Sequence, residues 1–380
     1  MYATQGLWQH GGWIHAPDTL PAGTKQSLVL CFGAVDDIRP ALHEELRSRY
    51  PGAILAGCTT AGEIYDTQVY DNAVSVLVLG MTRTRLRGVT VEVANATETP
   101  RAAEHLAREL AGEDLQHVLV LSDGLHVNGT ELTRALAATL PEHTTASGGL
   151  AGDGDRFGNT CAWLEKPDTG YRIVGIGFYG TALRVGFGSL GGWDPFGPVR
   201  VVTRAEHNVL YELDGQSALA LYKRYLGDYA KDLPGSALLF PLTLINEREK
   251  DVVRTVLSVD EASQSMTFAG DIPEGARVRF MKANFDRLVE GAQGAAEQCV
   301  QTQPDLPPAA ALLISCVGRK MVLRQRIEEE TEAVRDILPA PTCLAGFYSY
   351  GEISPLRHES GCNFHNQTMT ITTFSEADAS

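Results

Sequence analysis

Two carboxylates stand in matched surroundings near the two ends of this chain: Glu63 in LAGCTTAGEI (Leu55–Ile64) and Glu352 in LAGFYSYGEI (Leu344–Ile353). A carboxylate beside a glycine-rich turn can receive an amine, or it can accept bonds from its own loop and simply hold the turn. Gly57, Cys58 and Thr59 give the first copy small groups and bare backbone, whereas Tyr348 and Tyr350 give the second an aromatic rim. A cleft built from both would take a flat or apolar group, unless the aromatics are plain core packing. If the two copies pack about a pseudo-twofold axis, the carboxylates would face each other. A third glycine-rich loop, SGGLAGDG, offers consecutive amides suited to an anion, with Ser147, Gly148, Gly149 and Asp153 as candidate contacts. Phe157 stands where the third glycine of a dinucleotide fingerprint belongs, so that reading is excluded.

The donors that could hold a metal or haem are few. His126 lies in SDGLHVNG and His365 in FHNQTMT, where Asn366 and Gln367 add amides that a polar small ligand would want. His358, Cys362 and His365 form a His-x3-Cys-x2-His array that is one ligand short and ends in a strand pattern, so zinc is not expected. Cys58 and Cys316 beside glycine amides are conceivable nucleophiles, which leaves a cysteine-dependent enzyme as one alternative. No Gly-x-Ser-x-Gly elbow, His-Glu-x-x-His pair or phosphate loop accompanies them, and no catalytic residue is assigned.

Something must position these groups, and the chain repeats one device for it. SLVLCFG (Ser27–Gly33) reads as a buried strand; Ile38, Leu42, Leu46 and Tyr50 then place one apolar stripe on a helix, and AILAGC starts a second strand. The same order recurs in ALLISCVG, a helix through Arg326–Ile337 and CLAG. A weaker third echo runs from HVLVLSDG through Leu132, Leu136 and Leu140 to ASGGLAGDG. Strand, helix and parallel strand demand a right-handed crossover and leave the glycines at strand ends on a sheet rim. Between these units YRIVGIGFYG and ALRVGFGSLGGW read as two strands paired through a Gly-Thr turn. Two prolines near Trp193 mark a junction, after which short alternating strands predominate. The class expected is α/β (α+β), in two mixed-sheet domains with strand-helix-strand pseudo-repeats.

Bulk properties narrow the function. The chain has 380 residues, 44% of them hydrophobic and 21% charged, which suits globular domains. Its formal charge is -15 with the basic residues scattered, so no nucleic-acid partner is expected. The apolar run VSVLVLGM is far too short for membrane insertion, and MYATQGLWQHGG lacks the order of a signal peptide, so a cytoplasmic location is expected. Seven cysteines without a Cys-x-x-Cys pair read as reduced thiols.

The motifs GCTTAGEI, SDGLHVNG with SGGLAGDG, Leu213-Asp214-Gly215, SCVGR, GFYSYGEISP and FHNQTMTIT, in this order along nearly the whole chain, resemble the paired FIST N-terminal and C-terminal domains of bacterial signal transduction. The resemblance implies residues 1–20 as an extension, 21–200 as the first domain and 201–376 as the second. It further implies a sensor of a small-molecule ligand, in the stand-alone form similar to NosP-type proteins. Those are haem-binding and nitric-oxide-responsive, which would give this chain haem b, with His365 or His126 as axial donor. A separate histidine kinase or GGDEF/EAL-type cyclic-di-GMP enzyme would then be its partner. A haem-free sensor of amino acids or related metabolites is the alternative within the same resemblance.

Overall fold

A computed structural model describes all residues except 39–40, 234, 246–250, 305, 356–360 and 378–380. Among the described residues the strands form three six-stranded sheets and one eight-stranded sheet, all in an α+β arrangement. No helix there is long and apolar enough to cross a membrane.

The three six-stranded sheets share one plan. In the first, Gln26–Gly33 and Ile54–Cys58 are parallel neighbours joined across the helix Ala41–Arg49. In the second, Leu115–Ser122 and Thr145–Leu150 are joined across Gly129–Thr139. In the third, Ala310–Cys316 and Cys343–Ser349 are joined across Val317–Leu323 and Glu328–Ile337. Each sheet is extended on the other side by an antiparallel return strand, Val74–Met81, Arg172–Tyr179 or Met369–Glu376. Sequence periodicity therefore captures all three units, including the faint one. The middle helix starts where Asn128 accepts a bond from the Glu131 amide, 3.1 Å away, satisfying one of the free donors at a helix start.

Beyond its second strand each unit does something unexpected: the chain leaves its own sheet and adds a strand to a neighbour's. Glu63–Tyr65 pairs with the third unit's Cys343–Ser349, with Phe347 opposite Glu63. Ala162–Leu164 pairs with the first unit's Ile54–Cys58, with Ala162 opposite Cys58. Gly351–Ser354 pairs with the second unit's Thr145–Leu150, with Glu352 opposite Gly149. First gives to third, third to second, second to first: the units exchange strands around a pseudo-threefold axis, not the twofold anticipated from the two clear copies. A matching ring of backbone hydrogen bonds closes the exchange. The Ala61 amide donates to Tyr348 O (2.8 Å), the Tyr350 amide to Leu150 O (3.2 Å) and the Gly152 amide to Thr59 O (3.0 Å).

The glycine two to four residues before this ring is obligatory in each unit. A Cβ built on Gly57, Gly148 or Gly346 would lie 2.2, 1.8 or 1.8 Å from the carbonyl oxygen of Cys31, Val120 or Leu313 on the paired strand. No side chain fits at such a distance, because the obstacle is backbone.

YRIVGIGFYG and ALRVGFGSLGGW are strands, as their pattern requires, but they are not paired with each other. Arg172–Tyr179 pairs with Arg85–Glu92 and Leu115–Ser122 in the second sheet, and Leu183–Leu190 pairs with Met369–Glu376 in the third. The short link at Gly180 carries the chain between sheets because the two strands pack against different helices. Gly175 lies against Leu106 and Leu110 of Thr99–Leu110, and Gly188 against Ala295 of Phe285–Thr302.

The eight-stranded sheet is built from Asp194 to Lys282, an insert within the third unit with its own core around Tyr222, Phe268 and Phe280. The chain enters it through Asp194–Glu206 and leaves through Arg277–Lys282, which are hydrogen-bonded neighbours with Asp194 opposite Lys282. The insert thus hangs on a two-stranded neck. The step at 200/201 expected between the two halves lies inside the first neck strand, and the exchanged sheets draw strands from both sides of it.

Replacing Gly346 by Ala should lower stability by roughly 3 kcal/mol or more, since main chain must shift to admit the methyl group. Urea unfolding of Gly346→Ala checks this; an unchanged midpoint would refute the close-approach argument.

Candidate functional site

The residues of the ring divide two hollows. On one side lies a cavity of about 290 Å³ between the exchanged sheets and the insert. Its walls from the body are the Gly124–Gly129 turn, Leu150, Phe157, the Cys316–Gly318 step, Tyr350 and Phe364. The insert adds Asn208, Thr255, Leu257 and Phe268–Gly270. Among the described residues no Asp, Glu, Lys or Arg lines it, and four aromatic side chains do: Phe157, Phe268, Tyr350 and Phe364, with Phe157 stacked on Tyr350 at a ring-centroid distance of 4.6 Å. On the other side is a polar cleft of about 480 Å³ lined by Thr60–Glu63, Asp71, Asn72, Gly154–Arg156 and Lys320. Its cations are already matched. Lys320 pairs with Asp71 and donates to Ala61 O (2.9 Å), and Arg156 pairs with Asp153. Val317 borders both hollows.

The two matched carboxylates do parallel jobs in their own connections. Glu63 accepts from Thr60 Oγ1 (2.5 Å) and the Ala73 amide (3.2 Å). Glu352 accepts from Ser349 Oγ (2.8 Å), the Thr368 amide (3.2 Å) and Thr368 Oγ1 (2.9 Å). In each case the partners are a hydroxyl three residues back and the amide just before the return strand, so each Glu ties the exchanged strand to its unit of origin. Burial pushes the Glu63 carboxyl up to about 7 and that of Glu352 up to about 8, against the bonds that favour the anion.

Of the other candidates, Tyr350 reaches the cavity and Glu63 the cleft. Gly57 and Gly148 serve the close strand contacts, and a Cβ on Gly149 would meet Ile314 Cγ2 at 2.8 Å. Cys58 is in the core, and Thr59 Oγ1 accepts from the Cys161 amide at 3.1 Å. Ser147 Oγ bonds His117 Nε2 (3.0 Å) and accepts from Thr372 Oγ1 (2.8 Å), both buried. Asp153 also accepts from the Asn159 amide (3.0 Å), so it shapes its own loop. Tyr348 is buried, its hydroxyl donating to Glu330 Oε1 (2.7 Å). That carboxylate also pairs with Arg319 at 2.7 Å, both side chains being fully buried. Arg319 in turn donates to Gly191 O and to Leu288 O (2.7 Å) beside the neck, so the ring and the neck share one hydrogen-bonded network. The side-chain amides of Asn366 and Gln367 are buried with no hydrogen-bond partner, and the Gln367 amide packs against Gly318 in the cavity wall.

Neither histidine candidate lines the cavity. His365 is buried with Nε2 bonded to Ser354 O (3.1 Å) and Nδ1 to Ser189 Oγ (3.4 Å). His126 is partly exposed, its Nδ1 3.0 Å from Asp123 Oδ1 and its ring stacked on Tyr171 at 3.6 Å. His358 of the His-x3-Cys-x2-His array lies outside the described residues; Cys362 donates to Thr133 O at 3.6 Å. None of the seven cysteines is in a disulfide, and burial raises the thiols of Cys58 and Cys316 far above their usual range, the reverse of what a nucleophile needs.

Residues 27–216 match the family model of the FIST N domain, and residues 218–355 match that of the FIST C domain. The chain belongs to the FIST family. No curated protein matches it closely enough to count as a relative. FIST domains are small-ligand-binding sensor domains of signal transduction and are not known as catalytic domains. The boundary between the FIST N and FIST C matches falls inside the insert, and the cavity takes wall residues from both matched regions. Sequence reasoning missed Asn208, Thr255 and Phe268 because their segments show only strand alternation, and it passed over Phe364 although that residue opens the FHNQTMTIT motif already singled out.

Raised carboxyl pKa values make folding take up protons. Glu63 and Glu352 contribute stability that is complete below the usual carboxylate range and is lost as pH rises toward about 7 and about 8. A full proton corresponds to about 1.4 kcal/mol per pH unit. Thermal melts from pH 5 to pH 8 should therefore fall less steeply for Glu352→Gln, which keeps the shape and can keep the bonds, than for the unaltered protein. Parallel curves would refute protonation of Glu352 in the fold.

Proposed function

We propose that this FIST protein senses a small, mainly apolar organic molecule in the cavity between insert and body, and signals occupancy through the insert's position on its neck. The observation that carries the reading is the cavity itself: partly open, aromatic, without a charged side chain among its described lining residues, and near the lower end of the about 300–1,000 Å³ usual for small-molecule sites. A molecule touching Tyr350 and Phe364 on one side and Leu257 and Phe268 on the other necessarily favours one relative position of the two bodies. The Tyr348–Glu330–Arg319 network gives the ring a direct connection to Gly191 at the neck. A separately folded signalling protein, a histidine kinase or GGDEF/EAL-type enzyme in the cytoplasm, would read that position.

Haem b is the weaker proposal. Its support is the likeness to NosP-type proteins; the residues present fit it poorly, since both ring nitrogens of His365 are engaged and His126 is turned onto Tyr171. A free amino acid also fits less well than an apolar ligand, because no described lining residue offers a zwitterion an ion pair.

Titration with 5-fluoroindole followed by fluorine NMR should show saturable binding that Leu125→Trp, which fills the cavity, weakens at least about tenfold. Hemin mixed with the protein should keep the Soret band of free hemin, unchanged by His365→Ala or His126→Ala. Binding of fluoroindole that ignores Leu125→Trp, or a histidine-dependent Soret band, would overturn the reading.

A further inference from the structure

The wall that the insert contributes holds an unusual pair. Arg254 is 6% exposed, yet its guanidinium meets only backbone carbonyls: Phe364 O from Nη1 at 3.1 Å, and Val253 O and Asp271 O at 3.4 Å each. No described carboxylate forms an ion pair with it: Asp271, whose charge favours the cation, turns its carbonyl toward Arg254, and among the described residues its buried Oδ1 has no hydrogen-bond partner. Buried arginines ordinarily have an anion, because a charge taken from water without one is costly. Burial lowers the Arg254 pKa to about 10, so the group is still a cation at neutral pH.

Arg254 sits directly behind the cavity. A Cβ built on Gly270, which lines the cavity, would lie 2.8 Å from Arg254 Nε, and the guanidinium lies over the ring of Phe364, another lining residue, at 5.7 Å. Bare backbone at Gly270 thus separates the cation from the hollow by the thinnest wall a chain can make. The next residue, Thr255, sits between the strands Val252–Arg254 and Val256–Asp260, lines the cavity, is 5% exposed, and has its Oγ1 buried without a hydrogen-bond partner among the described residues. Elsewhere in the lining the Asn128 side-chain oxygen caps a helix, the Asn208 amide donates to Phe268 O at 2.7 Å and the Tyr350 hydroxyl donates to Gly154 O at 3.2 Å. An unfilled hydroxyl and a cation without an ion pair therefore lie behind one stretch of wall, beside Phe364, while the stacked Phe157 and Tyr350 make another stretch.

We infer that the cavity is a site for an organic acid, its carboxylate held at the Thr255–Gly270 end within the field of Arg254 and its apolar body against the aromatic wall. This rests on the reading of the cavity as the sensor site and adds the ligand's charge. An acid of this kind supplies the missing anion, whereas its amide supplies only a dipole, and charge-assisted bonds are about twice as strong as neutral ones.

The test compares 4-fluorophenylacetate with 4-fluorophenylacetamide at neutral pH by fluorine NMR on the full chain. The acid should bind about tenfold or more tightly than the amide. Arg254→Met should remove that preference while leaving the amide's affinity within about twofold, and Thr255→Val, a nearly isosteric change that spares the buried cation, should weaken the acid several-fold. If Arg254→Met does not fold, Arg254→Lys and Thr255→Val carry the comparison. Equal binding of acid and amide to the unaltered protein, both blocked by Leu125→Trp, would overturn the acid assignment and leave the cavity reading intact. Binding of neither compound would overturn both.

Discussion

Three backbone hydrogen bonds, from Ala61, Gly152 and Tyr350 to the carbonyls of Tyr348, Thr59 and Leu150, set the terms for everything else in this molecule. Each bond joins the end of one unit's second strand to the end of another's, so no unit can finish its sheet alone. Individually such a bond contributes only about 1 kcal/mol net. Their arrangement matters more than their strength: it forces each succeeding chain segment into a neighbour's sheet, and it makes three sheets one cooperative body. The glycines at 57, 148 and 346 are the entry condition, since they alone let the second strands lie close enough to their partners.

Polar groups near the ring arise from the same constraint. The exchanged connections run through the interior, where bare backbone would be unsatisfied, and Glu63 and Glu352 meet that need with hydroxyls and amides in equivalent positions. Desolvation then favours their protonated forms, a cost accepted for the sake of connectivity. The open space lies outside these braced connections, in the hollows beside the ring. The apolar cavity has walls from two bodies, body and insert, which meet at the neck and through contacts such as that of Arg254 with Phe364 O, whereas the salt bridges in the polar cleft are already closed.

Much of the fold is legible in the sequence. Leu-Ala-Gly ahead of four variable residues and Gly-Glu-Ile marks two units, and the faint Ser-Gly-Gly-Leu-Ala-Gly marks the third. The exchange is not legible, because a strand reads the same whichever sheet receives it; periodicity encodes faces, not partners. That is also why Arg172–Tyr179 and Leu183–Leu190 suggest a hairpin they do not form. For the site, Tyr350 and the SDGLHVNG turn are found from motif context, while Thr255, Gly270 and Arg254 come from an insert whose strands carry no repeat to compare against. The buried Glu pair looks like chemistry in the sequence and is architecture in the structure. Carboxylates write the same letter whether they wait for a ligand or brace a turn.

The neck has a mechanical consequence. Because Asp194 and Lys282 face each other on adjacent strands, the insert is attached like a door with all its hinges on one jamb. Beside that line Trp193 and Met281 pack with Leu288, Val322 and Leu323 of the body, so any tilt of the insert must shear a shared apolar cluster. The latch of this door is therefore grease rather than bolts: non-directional contact, which can slide by small steps where a hydrogen-bonded sheet would have to break.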